Sequence, residues 1–213
     1  MAIRNPRTAR LLTLTDSAVK VRLLEADRAF LADLAKVQII SADLADKYHY
    51  NHLKGGSARS LSRLEAAGII RSKILRVPGE LAVSTFEFAN REVARAWGGA
   101  LPVTGAKRTD LHELLTSRAY FLTGRPRDFR VAAQMTKSEI SMCGSCRPDA
   151  VYTDEATGEL VVVEADSGHY TRQQILHKMV RWQALGLTRQ VWTQPKRAGA
   201  RVPVSAGIDV FRL

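Results

Sequence analysis

The chain has 213 residues, of which 46% are hydrophobic and 25% are charged, and its formal net charge is +11. This length is sufficient for two small domains with a buried core. No apolar run approaches the roughly 20 residues that cross a bilayer, and no secretory signal follows the basic N-terminus, so we expect a cytoplasmic protein without a membrane partner. The basic excess extends over both halves and favours a polyanionic partner, most simply nucleic acid.

The first hundred residues have the pattern of three helices followed by a hairpin. Apolar spacing and turn signals predict, in chain order, helices over 18–36, 42–48 and 58–67, strands over 69–77 and 82–89, and a short helix over 91–97. That order is typical of a winged helix-turn-helix, whose third helix enters the major groove of DNA. We therefore expect a DNA-binding domain over 1–97, including a basic N-terminal arm, and a linker over 98–103.

The third predicted helix carries basic and small side chains on its outward face. A winged helix can also contact proteins, but this face favours double-stranded DNA. The side chains expected to contact bases or the DNA backbone are Lys54, Arg59, Ser60, Arg63, Arg71, Lys73 and Arg76.

The second half, 104–213, has the pattern of an α/β domain with a mixed sheet. Its predicted elements are a helix over 111–122, a hairpin over 147–166, a helix over 171–185, and strands over 190–193 and 208–213. This order matches a restriction-endonuclease-like fold. His112 lies off the apolar stripe of the first helix, and a core or surface histidine is favoured over one that lines a site.

The predicted hairpin contains the two carboxylates that are the main candidates for a catalytic site. Apolar β-formers flank a polar, glycine-containing loop over 154–159, and a symmetric loop would pair Val151 with Val162 and set Asp149 opposite Glu164. Like charges in opposed strand positions are destabilising, and a hard divalent cation would neutralise them. The spacing therefore suggests the centre of a metal-dependent nuclease.

A second interpretation of the same register stays open. It sets Arg147 opposite Asp166, so that Arg147 would form an ion pair with Asp166. Asp149 and Glu164 would then be solvated strand residues. Lys178 lies on the flank of the apolar stripe of the next helix, which we expect to pack over the hairpin and bring Lys178 towards Glu164.

Both cysteines of the chain lie in Cys143-Gly144-Ser145-Cys146. Structural zinc sites take four ligands, and no second cysteine pair is present. His169 and His177 would complete such a site only by a coincidence of folding. Reduced thiols in a loop before the hairpin are the favoured interpretation.

Three short motifs resemble those of the replication-relaxation family of bacterial plasmids and integrative elements, and of the related MobC-type relaxases. They are Arg147-Pro148-Asp149-Ala150, Glu164-Ala165-Asp166-Ser167-Gly168 and Lys178-Met179. The winged-helix pattern before them and Leu111-His112-Glu113-Leu114 fit the same family, so that the resemblance covers roughly residues 20–195.

The resemblance implies a PD-(D/E)XK-type domain that acts on plasmid DNA, with Asp149 and Glu164 as ligands of Mg²⁺ or Mn²⁺. The usual motif continues Glu-x-Lys, whereas Asp166 occupies the lysine position here. Either Asp166 is a third metal ligand and Lys178 supplies the cation, or the site is inactive.

Two functions follow from these expectations. The first, narrowly favoured, is a DNA nickase or relaxase acting at an origin of transfer or replication, with Asp149, Glu164, Asp166 and Lys178 as its catalytic set. The second is a non-catalytic regulator of plasmid replication or mobilisation. Tyr170 stays open as a nucleophile, although a solvated aromatic is preferred. Other mobilisation or replication proteins and a second copy of the chain are further candidate partners.

Overall fold

The computed structural model describes residues 21–77, 82–99, 110–196 and 202–213. The basic N-terminal arm, the turn Pro78-Gly79-Glu80 and most of the predicted linker lie outside these ranges. The elements are α1 (Glu25–Val37), β1 (Ile40–Ser41), α2 (Ala42–Ala45), α3 (Gly56–Ala66), β2 (Ile70–Leu75), β3 (Val83–Phe88), α4 (Arg91–Ala96), α5 (Asp110–Leu122), β4 (Arg130–Val131), α6 (Lys137–Met142), β5 (Ala150–Thr153), β6 (Leu160–Ala165), α7 (Arg172–Ala184), β7 (Gln190–Gln194) and β8 (Ile208–Arg212). The expected α+β class is confirmed, and the described helices include none with the length and apolar character to span a membrane.

The described part of the N-terminal half contains the helices α1 to α4 and an antiparallel sheet of order β1-β3-β2. The prediction that α1 starts at residue 18 is wrong for the described residues 21–24. Leu24 has an extended backbone, and its N–H donates to the carboxylate of Asp27 at 2.7 Å, which caps the helix and fixes its start at Glu25.

The second and third helices differ from the prediction at their ends. α2 ends at Ala45 and continues as a π-helical turn, Asp46–Tyr50. α3 begins at Gly56, two residues earlier than expected, because Gly55 and Gly56 both have positive φ and reverse the chain there. The turn before α3 therefore places the helix beside α1 without a long loop.

The C-terminal half is a five-stranded sheet of order β4-β5-β6-β7-β8. β4, β5 and β6 are antiparallel, whereas β6, β7 and β8 are parallel, so the expected mixed sheet is confirmed. By the alternation of side chains along a strand, one face packs on α5 through Tyr152 and Val163. The opposite face packs on α7 through Val162 and Trp192.

The two halves share one hydrophobic core. Phe30 and Leu34 of α1 belong to the same buried cluster as Tyr120 of α5 and Val163 of β6. The side-chain amide of Gln134 also donates to the carbonyl of Ala35 at 2.8 Å, across the junction. The orientation of the N-terminal half relative to the C-terminal sheet is therefore set by buried packing as well as by surface contacts.

Candidate carboxylate site

The hairpin has the register expected from the sequence. Val151 pairs with Val162 and Thr153 with Leu160, and the N–H of Asp149 donates to the carbonyl of Val163 at 2.9 Å beyond the last pair of the ladder. Extending the register by one residue sets Asp149 opposite Glu164. The two carboxylates thus meet where β5 begins and β6 ends, between α7 and the start of α5.

Both carboxylates are buried, with 4% of Asp149 and 0% of Glu164 exposed. One oxygen of Asp149 accepts a hydrogen bond of 2.9 Å from the N–H of Ala165, which holds the side chain against β6. Oε1 of Glu164 accepts from the hydroxyl of Tyr170 at 2.7 Å and contacts the ammonium of Lys178. Oε2 of Glu164 has no hydrogen-bond partner within the described residues, so one oxygen of a buried carboxylate is left to a further group.

The charge state of the pair follows from its surroundings. Burial, and then the negative charge of Asp149, raise the pKa of Glu164 to about 7 against the opposing effect of Lys178. Burial alone would lower the pKa of Lys178, but the carboxylate of Glu164 outweighs burial and raises it, so the ammonium stays charged at neutral pH. The surroundings therefore disfavour a negative charge on Asp149 and Glu164 at the same time, unless another cation is bound beside them.

Tyr170 takes part as a hydrogen-bond donor. Its hydroxyl lies 3.0 Å from the Lys178 ammonium, which also lies 4.8 Å from the centre of the phenol ring. Burial and the charge of Glu164 raise the pKa of the Tyr170 phenol. A phenol that keeps its proton orients Glu164, which argues against the open role of Tyr170 as a nucleophile.

His112 belongs to this site, contrary to the favoured sequence interpretation. Its Nε2 lies 2.7 Å from Oδ1 of Asp149, although the direction of the ring nitrogen does not give an aligned hydrogen bond. The residue lies in the first turn of α5, and this helix begins beside the carboxylate pair. The position of His112 off the apolar stripe of α5 was the signal that the sequence offered. The angle at which α5 crosses the sheet decides which residue of that helix reaches Asp149.

Asp166 and Arg147 do not form the ion pair that the alternative interpretation needs. Oδ1 of Asp166 accepts from the N–H of Gly168 at 2.8 Å and closes the turn after β6. The Arg147 guanidinium instead donates to the carbonyl of Ala132. Oδ2 of Asp166 is buried without a hydrogen-bond partner in the described ranges, and its role as a third metal ligand stays a prediction.

The donor set can be compared with what Mg²⁺ or Mn²⁺ requires. Within the described residues, no group of three or more His, Cys, Asp or Glu side chains is arranged to hold a metal. Two carboxylates suffice for Mg²⁺, however, because this ion keeps several waters and takes further oxygens from substrate phosphates. Asp149 and Glu164 fit that pattern, since Oε2 of Glu164 lacks a hydrogen-bond partner in this part of the chain.

The cysteines lie beside this region as free thiols, Cys143 buried and Cys146 half-buried. Burial, and then the negative charge of Glu139, raise the pKa of the Cys143 thiol to about 11. Metals bind the thiolate, so the surroundings of Cys143 disfavour the form that would act as a ligand.

The residues expected to contact DNA fall into two groups. Lys54, Arg59 and Arg76 are exposed, as expected for contacts with a polyanion. The expectation that Ser60 faces outward is wrong, because only 6% of it is exposed. Ser60 lies next to Leu61 on the side of α3 that enters the core, so it is placed to fill space rather than to contact a ligand.

The other basic residues hold buried carboxylates. Arg63 forms an ion pair with Asp27 of α1, and Arg71 and Lys73 both contact Glu87, which is 1% exposed. A buried carboxylate without a cation is strongly destabilising. These three side chains therefore stabilise buried carboxylates in addition to any contact with DNA, and Glu87 keeps one cation if either Arg71 or Lys73 is lost.

Comparisons of the chain with protein-family models, with curated proteins and with solved structures gave no match.

Proposed function

We propose that the chain is a DNA-binding protein of a plasmid or integrative element that nicks DNA in a metal-dependent reaction at an origin of transfer or replication. The observation that carries the proposal is the buried pairing of Asp149 with Glu164, in which Oε2 of Glu164 has no hydrogen-bond partner within the described residues. A chain that buries two facing carboxylates needs a cation to stabilise them. Phosphodiester hydrolysis is a reaction that uses such a cation.

Each residue of the carboxylate site has a separate role in the proposed reaction. Asp149 and Glu164 would hold Mg²⁺ or Mn²⁺, which supplies an activated water and offsets charge on the phosphate. Lys178 reaches the site from α7 and would supply the positive charge that the lysine of the usual Glu-x-Lys motif provides, because Asp166 occupies that position here. Tyr170 orients Glu164 by donating to Oε1. His112 supports Asp149 from α5.

Recognition of DNA is proposed for the N-terminal half. Its three helices, followed by the β2–β3 pair, have the element order of a winged helix-turn-helix. Exposed Lys54, Arg59 and Arg76 lie on or near α3 and β2, where phosphate contacts are made in such domains. The mixed sheet between α5 and α7 agrees with a restriction-endonuclease-like fold, and the resemblance to the replication-relaxation family supports the same assignment.

One contact favours the second candidate, a regulator without catalysis. The Lys178 ammonium already contacts Glu164, so this carboxylate has a counter-charge without any metal. A domain that had lost catalysis would keep this ion pair for stability and use its basic surface to bind DNA.

The test is conversion of supercoiled plasmid to open circles with Mg²⁺ or Mn²⁺. We expect the native protein to nick and Glu164→Gln not to. Glu159→Gln, which changes an exposed carboxylate in the turn of the same hairpin, is the matched control and should nick as the native protein does. Absence of nicking by native protein that still binds DNA would favour the regulator.

A further inference from the structure

A cavity of about 560 Å³ lies beside the carboxylate site. It falls within the range of about 300–1,000 Å³ that is typical of small-molecule sites. Its walls come from the segment after α6, through Ser145 and Arg147, and from α7 and the turn before it, through Tyr170, Gln173, His177 and Lys178. Tyr170 and Lys178 also contact Glu164, so the cavity and the carboxylates share a wall.

The lining chemistry favours an anionic ligand with hydrogen-bonding edges. The described residues around the cavity include the cations Arg147 and Lys178 and no aspartate or glutamate. The side chains of Gln173 and His177 are exposed and make no hydrogen bond to the described residues. An amide and an imidazole both donate and accept, as the edge of a nucleobase requires.

The position of the cavity selects one source for such a ligand. A phosphate held at Asp149 and Glu164 would lie across Tyr170 and Lys178 from the hollow, so the next nucleotide of the same strand would be at its mouth. Bases within a duplex are stacked and cannot enter a concave hollow, whereas an unstacked base can, beside the aromatic ring of Tyr170.

We infer that this cavity holds one unpaired nucleotide of the DNA strand, next to the phosphate that is cut. The inference rests on the proposed function and adds its substrate class, which is a strand that is single or locally opened at the nick. The base occupies the hollow between Gln173 and His177, and the Arg147 guanidinium on the facing wall neutralises a flanking phosphate, since the charge of Lys178 is already paired with Glu164.

The experiment fills the cavity and measures binding without cleavage. Gln173→Trp and His177→Trp each place a bulky side chain in the hollow from an exposed position of α7. Gln183→Trp makes the same change at an exposed position of α7 outside the cavity and is the matched control. The probe is a fluorescein-labelled single-stranded thymidine hexanucleotide in EDTA, followed by anisotropy, and circular dichroism checks folding.

We expect both filled variants to bind the hexanucleotide at least about tenfold more weakly than the native protein, a loss of about 1.4 kcal/mol, and the control to bind as the native protein does. Binding of a long duplex through the N-terminal half should be unchanged in all three. Native affinity in the filled variants, or no binding of the hexanucleotide by the native protein, would overturn the inference. The binding measurement is independent of cleavage because EDTA removes the metal. If the native protein does not nick plasmid, but filling the cavity still weakens hexanucleotide binding, only the proposed function is refuted.

Discussion

The hydroxyl of Tyr120 donates a hydrogen bond of 2.7 Å to Oδ1 of Asp33, and this contact joins α5 to α1 across the junction of the two halves. Asp33 is 4% exposed. Its other oxygen lies 2.7 Å from the Arg125 guanidinium and 3.3 Å from Nε2 of His49. A single buried carboxylate of α1 therefore connects three segments of the chain: α1 itself, the π-helical turn that contains His49, and the end of α5 with the turn after it.

Tyr120→Phe should destabilise the whole protein. It removes a hydrogen bond to a buried charged group, which is worth about 1.5–3 kcal/mol. Tyr48→Phe is the control, because Tyr48 packs against Phe121 while its hydroxyl makes no hydrogen bond to the described residues, and it should stay within about 0.5 kcal/mol of the native protein. Urea unfolding measures both. Equal stability of Tyr120→Phe and the native protein would show that the hydrogen bond contributes nothing.

Asp33 should also make stability depend on acid pH. Burial raises its pKa, but His49, Tyr120 and Arg125 together outweigh burial and lower it below the ordinary 3.8. The unfolded chain thus binds the proton more readily, so the stability from this group is complete above about pH 4 and is lost as pH falls through the lowered pKa. The free-energy difference between the native protein and Asp33→Asn should shrink over that window in urea titrations. A difference that stays constant from pH 2 to pH 6 would contradict this assignment.

Lys178 and Glu164 should differ sharply in their contributions to stability. Lys178→Met leaves a buried carboxylate without its cation and should cost about 3–5 kcal/mol of the free energy of unfolding. Glu164→Gln keeps an oxygen for Lys178 and Tyr170, and the Lys178 ammonium that it leaves without a carboxylate is 17% exposed and keeps part of its hydration, so this variant should cost about 1–2 kcal/mol. Urea unfolding at pH 8 compares the two. A similar loss in both variants would mean that packing, rather than charge, sets the stability here.

His112 should act through Asp149. Loss of a side chain that orients a metal ligand typically costs about 10–100-fold in metal affinity or activity. We expect His112→Ala to weaken Mn²⁺ binding, measured by calorimetry, by a factor in this range. His52→Ala, which changes an exposed histidine of the N-terminal half, should leave Mn²⁺ affinity unchanged. Unaltered affinity in His112→Ala would remove His112 from the site.

Two arginines of α3 should separate DNA binding from stability. Arg59 is exposed and makes no ion pair within the described residues, so Arg59→Ala should weaken DNA binding and reduce the slope of log affinity against log salt by about 1. Arg63→Ala strips the buried carboxylate of Asp27 of its cation and should lower stability. Fluorescence anisotropy at several salt concentrations and urea unfolding distinguish the two effects. An unchanged salt slope in Arg59→Ala would exclude a phosphate contact.

Local sequence patterns predicted the features that depend on local rules. The period of two in β5 and β6, with a symmetric turn between them, was sufficient to pair Val151 with Val162 and to align Asp149 with Glu164. Apolar spacing likewise located α5 and α7 to within one residue at each end. The Thr136–Glu139 capping box marks the start of α6 and was a usable signal that the prediction missed.

The features that were missed depend on how distant elements pack. The approach of His112 to Asp149 follows from the angle at which α5 crosses the sheet. The pairing of Arg63 with Asp27, and the burial of Ser60, follow from the packing of α3 on α1. β4 has only two residues, which is too short to leave a pattern in the sequence.

The core that Phe30 and Leu34 share with Tyr120 and Val163 fixes the distance between the two halves of the molecule. Under the proposed function, α3 and the carboxylate pair are held at a constant separation and angle. The number of base pairs between the recognised sequence and the cut phosphate would then be a fixed property of the protein, unchanged by substitutions in the DNA between them.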